Sequence, residues 1–422
     1  MNILFNFINT IITRINILSG RAAKVLSRAR TSPLADRLLA DALRLAEIPS
    51  PTYQEEQRAA FVLERLATLK ISPQMDDLGN ILVRIPAHTP VDHSALLLFS
   101  DMGSNRWHPL DSLTRLDSRY ARGAGLADIL GCATLLSIAE ALTEERLPSE
   151  REVLILFAAR SLDDPEGKAF FSIFENPSHF PCAAIGIRGL NLGSVITNTQ
   201  GIYRIRVTMG REQNEKEAAR DDMEGPDTPP AKPETANMVV DTLISTARKL
   251  SGITWDSKGT TYFYIRRIEA GTGFGRAPQE GILEIELESS NGPQLEMAMN
   301  TVKATAENAA KFSVENPNPD SAIKTEVSIT SFIPVGEQNN DPELLKTIRG
   351  VMKDLHIRLR EENGADPSAI LSNRGIPSFS IGIAQGWEGL NSDTIEIASI
   401  EKGRQLIEAL ITRMSRTGGP YE

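Results

Sequence analysis

The sequence predicts an α/β fold: a mostly parallel sheet flanked by helices, with a smaller α+β domain inserted into it. Three observations predict it. Short continuous apolar runs such as Ala95–Phe99 suit strands buried on both faces. Amphipathic helical segments alternate with those runs up to about residue 200, the pattern of an open sheet with helices on both sides. The alternation breaks after Gly201 and resumes at Ile376–Ile383, so the first domain is discontinuous.

Ser32-Pro33 reads as a helix N-cap followed by proline at the first helical position. Leu38, Leu39, Ala42, Leu43 and Ala46 supply the apolar face, which ends near Pro49 and Pro51. Ala60, Leu63, Leu66 and Leu69 mark a second amphipathic helix. The turn Asp77-Leu78-Gly79-Asn80 leads into a strand at Ile81–Ile85, and Ala95–Phe99 is the next strand. Gly123–Gly131 is a glycine-rich loop running into a helix that carries Leu135, Leu136, Ala139 and Leu142. Val153–Ala159 and Ala183–Ile187 are further buried strands.

Beyond Gly201 an alternating strand (Ile202–Thr208) precedes a charged, proline-bearing stretch at Arg211–Glu234, expected as a solvated loop. A helix near Met238–Leu250, strands near Thr260–Arg267 and Ile282–Glu288, and a helix from Gln294 to Lys311 complete the insertion. Ser399–Met414 closes the chain as an amphipathic helix. The expected organisation is therefore an N-terminal segment at 1–31, a first α/β part at 32–200, an inserted domain at 201–330 and a second α/β part at 331–418.

Composition narrows the function classes. The chain has 422 residues, enough for two domains, and 41% hydrophobic with 24% charged residues is ordinary for a globular protein. A net charge of −10 argues against nucleic acid as a partner, since binding phosphates needs clustered lysine and arginine. Cys132 and Cys182 form no Cys-x-x-Cys pair, which excludes a disulfide framework and makes the cytoplasm the expected compartment. Both read as small buried hydrophobes. Residues 1–31 hold Arg14, Arg21, Lys24, Arg28 and Arg30 and no acid, with Ile3, Leu4, Phe7, Ile8, Ile11, Ile12, Ile15 and Leu18 at roughly helical spacing. One reading is an interfacial helix making weak contact with an anionic membrane. The others are a helix packed on the body and non-native sequence from an upstream start codon.

In open α/β sheets, chemistry collects beyond the carboxyl ends of the strands. Those positions hold Asp101, Asp163, Asp164, Arg188 and the loop around Trp387–Asn391, and the glycine loop adds Asp128. Four carboxylates there suit a hard cation. None of the five histidines occupies a strand end, so a nitrogen-rich zinc site is hard to build.

The motifs, in order, are Glu47-Ile48-Pro49-Ser50-Pro51 followed by Glu55-Glu56, then Asp77-Leu78-Gly79-Asn80, then Gly123–Gly131, then Gly375-Ile376-Pro377. With them the sequence resembles, over about residues 33–415, the zinc exopeptidase and aminoacylase family of carboxypeptidase G, tripeptidase (peptidase T) and succinyl-diaminopimelate desuccinylase. The resemblance implies a phosphorylase/hydrolase-like exopeptidase domain interrupted by a lid that often makes a homodimer. It also implies a role for each site residue. Asp101 stands in place of a histidine ligand, and Gly103 in place of the aspartate that orients it. Asp128 is the retained bridging aspartate. Asp163 falls at the general base and Asp164 at the adjoining ligand. Arg188 replaces an acidic ligand, and Leu390 lies where the last histidine would be.

On this reading Arg188 repels a second metal ion and pairs with Asp128 or Asp164. No cofactor is expected; any residual site takes a divalent cation such as zinc, manganese or magnesium. The expected function is that of a non-catalytic pseudo-peptidase, dimeric through its lid, that binds a peptide-like ligand or a protein partner. The alternative is an active metal-dependent exopeptidase or amidohydrolase cleaving small peptides or N-acyl amino acids with an altered site. A membrane-associated scaffold using residues 1–31 is a third reading. The competing account of the acids themselves is a relic site, neutralised by Arg188. Trp387 is expected to pack.

Overall fold

The computed structural model describes residues 32–50, 54–88, 95–104, 114–144, 146–159, 181–211, 237–256, 259–271, 273, 278–312, 323–336, 342–389 and 392–416. The basic segment 1–31, nearly all of the charged stretch at 211–234, and Asp163, Asp164 and Leu390 lie outside them. Two compact units emerge. The first comprises Met1–Leu162, Glu166–Thr199 and Gly336–Glu422, and the second is centred on Gln200–Val335.

In chain order the first unit begins with α1 (Pro33–Glu47) and α2 (Glu56–Thr68), followed by β1 (Gln74–Met75), β2 (Ile81–Ile85) and β3 (Leu96–Asp101). The Ser32 side chain caps α1 by accepting from Ala35 N at 3.2 Å, with Pro33 in the first turn. Next come β4 (Arg115–Leu116), β5 (Tyr120–Gly123), α3 (Leu126–Thr143), β6 (Val153–Ala158), β7 (Ala183–Leu190) and β8 (Ser194–Thr199). The second unit holds β9 (Gly201–Arg211), α4 (Met238–Ser251), β10 (Thr261–Ala270), β11 (Glu280–Ser289), α5 (Gly292–Phe312) and β12 (Ile323–Ile333). The first unit then resumes with α6 (Pro342–Asp354), β13 (Arg360–Gly364), α7 (Ser368–Ser372), β14 (Ser378–Ala384), β15 (Gly386–Trp387), β16 (Asp393–Glu396) and α8 (Ile397–Met414).

The main sheet has the order β1-β2-β6-β3-β7-β14-β8-β13. Its centre, β6-β3-β7-β14, is parallel throughout, while β2 joins β6 and β8 joins β14 antiparallel. The sheet is thus mixed, with the parallel pairing confined mainly to the strands buried on both faces, as expected. Alternate residues of β3 serve opposite cores: Leu96 and Leu98 join the larger cluster, Leu97 and Phe99 the smaller one. A four-stranded antiparallel sheet, β15-β16-β5-β4, adjoins the site segments. The second unit is a sheet of order β10-β11-β9-β12, with α4 and α5 sharing its core.

The segment 123–131, expected as a loop, is mostly helix: Gly123 ends β5, and only Ala124-Gly125 turn before α3 begins. Gly125, at φ 65°, adopts the left-handed conformation that launches the helix. Gly131 is needed for a different reason. A Cβ there would meet Ser100 Oγ at 2.2 Å and Ile187 O at 2.4 Å, so the glycine lets α3 lie directly on β3 and β7. Among the described residues α3 alone is long and apolar enough to cross a membrane, and 89% of it is buried inside the protein, as befits a core helix.

Candidate functional site

β3 ends at Asp101, and in the segment 101–104 Asp101, Met102 and Ser104 are each held by a side-chain hydrogen bond. Cys132 of α3 donates its Sγ–H to Asp101 O at 2.8 Å. Arg58 of α2 donates from Nη1 to Met102 O at 2.7 Å. A Cβ on Gly103 would lie 3.1 Å from Glu55 Oε1. Ser104 Oγ donates to Asp128 Oδ2 at 2.7 Å. The start of α3 is fixed in turn by buried Asp393, whose Oδ2 accepts from Ala127 N at 3.0 Å, one residue before Asp128.

Asp101 and Asp128 are therefore brought together, with Glu55 beside them. Asp366, which precedes α7, is a further neighbour. Burial, then the negative charges of Asp366, Asp128 and Glu55, push the Asp101 carboxyl up to about 7. Asp366 is itself buried, and accepts from Ser380 Oγ at 2.5 Å and Ser368 N at 2.8 Å. The Cys132 thiol, fully buried, is pushed up to about 12, chiefly by desolvation, and stays protonated. It behaves as the small buried group expected of it.

Arg188 sits on β7 with the neighbouring strand in register: Phe99 pairs with Gly186, and Asp101 and Arg188 each stand two residues beyond that pair. Its guanidinium does not pair with Asp128. It faces Glu362 of β13 at 3.5 Å from Nη1, without hydrogen-bond geometry. The physical reason is topological. β13 runs alongside β8 at the edge of the sheet and supplies the Glu362 carboxylate that Arg188 faces.

Glu55, Arg58, Ser104 and Asp366 went unassigned from sequence. Glu55 appeared only within a motif; Arg58 and Asp366 carried no signal beyond residue type. Trp387, expected to pack, is 54% exposed and meets Tyr120 edge-to-face with centroids 5.6 Å apart.

The residues described do not fit a dinuclear metal centre. Where an orienting aspartate would extend from position 103, the Glu55 carboxylate already fills the space. Arg188 offers no lone pair. Among the described residues no three His, Cys, Asp or Glu side chains gather as a metal-holding group. What the arrangement offers is a buried acid cluster with one protonatable carboxyl and two guanidinium groups nearby.

No family model matches the sequence, and no curated protein matches it. Solved structures do match the fold. A tripeptidase from Staphylococcus aureus is similar with a TM-score of 0.60 at 16% identity, over 91% of this chain and 99% of the other. An aminobenzoyl-glutamate utilization protein from Klebsiella pneumoniae gives 0.60 at 11% identity, over 91% and 98%. A dinuclear metal binding peptidase of the M20 family from Bacillus subtilis gives 0.52 at 14% identity, over 90% and 97%. At such identities the likeness speaks for architecture and leaves the chemistry to the residues. The chain has the fold of these three proteins.

Proposed function

We propose that this chain is a non-catalytic member of that structural group, binding a peptide-like ligand or a protein partner without hydrolysing it. The observation that carries the reading is Arg188. The resemblance gives its position to an acidic metal ligand, and here a guanidinium stands there, facing Glu362. A cation fixed at a ligand position opposes metal binding by Coulomb repulsion, which grows as the surroundings exclude water. Glycine at position 103, where the resemblance gives an orienting aspartate, supports the same reading.

The test is turnover. Purified protein, with zinc or manganese added and again after chelation, is expected to leave dipeptides, tripeptides and N-acyl amino acids intact. Turnover that disappears in Asp128→Asn would overturn the proposal and establish the altered-site hydrolase instead. Self-association through residues 201–330 belongs to the same proposal. Light scattering is expected to give twice the chain mass of 46.2 kDa, and a monomer at all concentrations removes that part.

A further inference from the structure

We propose that the free edge of β12 is the self-association surface, pairing antiparallel with β12 of a second copy about a two-fold axis through Thr325. The proposal rests on the self-association put forward above, and it names the strand and the register that carry it.

β12 ends its sheet: it pairs with β9 on one side, and among the described residues no strand pairs with it on the other. The ladder decides which of its backbone groups face outward. Gly271 N donates to Glu280 O and Ser290 N to Thr260 O, one bond at each end of the β10–β11 pair. Backbone direction alternates along an antiparallel ladder, so even-numbered residues of β11 turn to β10 and odd-numbered ones to β9. Odd meets odd in the β11–β9 register, which leaves the even-numbered residues of β9 turned to β12. The Ser328 and Thr330 hydroxyls agree, since they donate to Arg206 O and Arg204 O. On β12, Lys324, Glu326 and Ser328 stand opposite Gly210, Thr208 and Arg206 and are the residues bonded to β9. Ile323, Thr325 and Val327 therefore present N–H and C=O groups to the open edge. The bulge between Ile329 and Ser331 blunts only the later part of that edge.

An open edge of this kind is completed by adding a strand, and here the sequence matches itself. Centred on Thr325, antiparallel pairing sets Lys324 opposite the partner's Glu326 and Ile323 opposite the partner's Val327, each twice by symmetry. Directly facing opposite charges attract. Inside one chain Lys324 and Glu326 face only Gly210 and Thr208, neither of them charged. Ile323 and Val327 lie against the core shared by α4 and α5, so the pairing extends that core across the axis. Thr325 adds a polar argument. Its Oγ1 is buried without a hydrogen-bond partner. Turned toward the edge about χ1, it meets the same hydroxyl of the second copy, a favourable cross-strand pair. Other registers serve less well. A centre on Val327 sets Lys324 against Thr330 and Glu326 against Ser328, and it runs into the bulge. A centre on an even-numbered residue opposes backbone groups already bonded to β9.

The experiment is sedimentation equilibrium of the full chain and its variants. Wild type is expected to dimerise reversibly. Glu326→Lys brings like charges face to face twice and is expected to raise the dimer dissociation constant about tenfold. Adding Lys324→Glu reverses both pairs and is expected to restore the wild-type value. Thr325→Pro removes an N–H that faces the open edge and makes no bond to β9, so it is expected to give a folded monomer. A dimer that neither Glu326→Lys nor Thr325→Pro weakens overturns this inference alone and assigns self-association to another surface. Wild type that is monomeric at all concentrations overturns the inference and the self-association it rests on together. Should Thr325→Pro not fold, the charge reversal decides: a dimer weakened by Glu326→Lys and not recovered by adding Lys324→Glu overturns the register.

Discussion

Replacing Arg65 with methionine is expected to lower stability by about 3–5 kcal/mol, the usual cost of removing one partner from a buried ion pair. Arg65 of α2 is 17% exposed and donates from Nε to Asp41 Oδ2 of α1 at 3.0 Å and from Nη2 to Glu140 Oε2 of α3 at 2.6 Å. Asp41 and Glu140 are 9% and 6% exposed, so neither can recover its hydration when the guanidinium goes. Arg37 still reaches Glu140 Oε1 at 2.6 Å, but it is 41% exposed and leaves Asp41 unserved. Asp41 is already raised above its ordinary value by burial, with Arg65 the largest opposing influence. Without Arg65 it rises further. A raised carboxyl contributes stability below its unfolded value and loses it as pH climbs through the folded one. The deficit should therefore be largest near neutrality and smaller toward pH 4. Urea midpoints at constant slope measure it. Adding Asp41→Asn should restore part of the loss. A deficit below about 1 kcal/mol would mean that water screens the network as it does a surface pair. The consequence reaches the site, because these three helices position Glu55, Arg58 and Asp128.

Much of this was legible in the sequence, for reasons that differ by residue. Asp101 and Arg188 could be placed because each ends or interrupts a continuous apolar run, and a polar residue there marks a strand end. Asp128 was singled out within the glycine-rich stretch 123–131 and by the resemblance, although that stretch was expected as a loop and Asp128 lies in the first turn of α3. Arg58 was not legible. On an amphipathic helix an arginine three residues after a glutamate reads as a solvated pair, and only the Met102 carbonyl, 44 residues away, shows that it is buried. Asp366 was hidden for a similar reason: its neighbours Ser368 and Ser380 are brought to it by the β13–α7–β14 connection. Helix α6 did carry a signal, since Leu344, Ile348, Val351 and Met352 form an apolar stripe and are all buried. Strand β12 gave less, because its outward positions are half-exposed and mix polar with apolar types.

Asp101→Asn is the variant in which the state of the site should be read most directly. In the folded protein Asp101 holds its proton to about pH 7, against 3.8 as the ordinary value. The folded state therefore binds more protons than the unfolded state between those limits, and stability must fall as pH rises across them. At 1.36 kcal/mol per pH unit the full displacement is worth roughly 4 kcal/mol, and the partial exposure of Asp101 brings the expectation to about 2–3 kcal/mol. Asparagine mimics the protonated acid at all pH values. The variant should match wild type near pH 4, and exceed it by that amount above pH 8. Unfolding midpoints for the two proteins across this range provide the measurement. Parallel curves would mean that Asp101 is ionised throughout and that another positive charge reaches it. The crossing pattern, by contrast, would fit a buried carboxyl raised by its acidic neighbours Asp366, Asp128 and Glu55. In that case the proton on Asp101 is what lets a fourth carboxyl lie beside Asp366, Asp128 and Glu55.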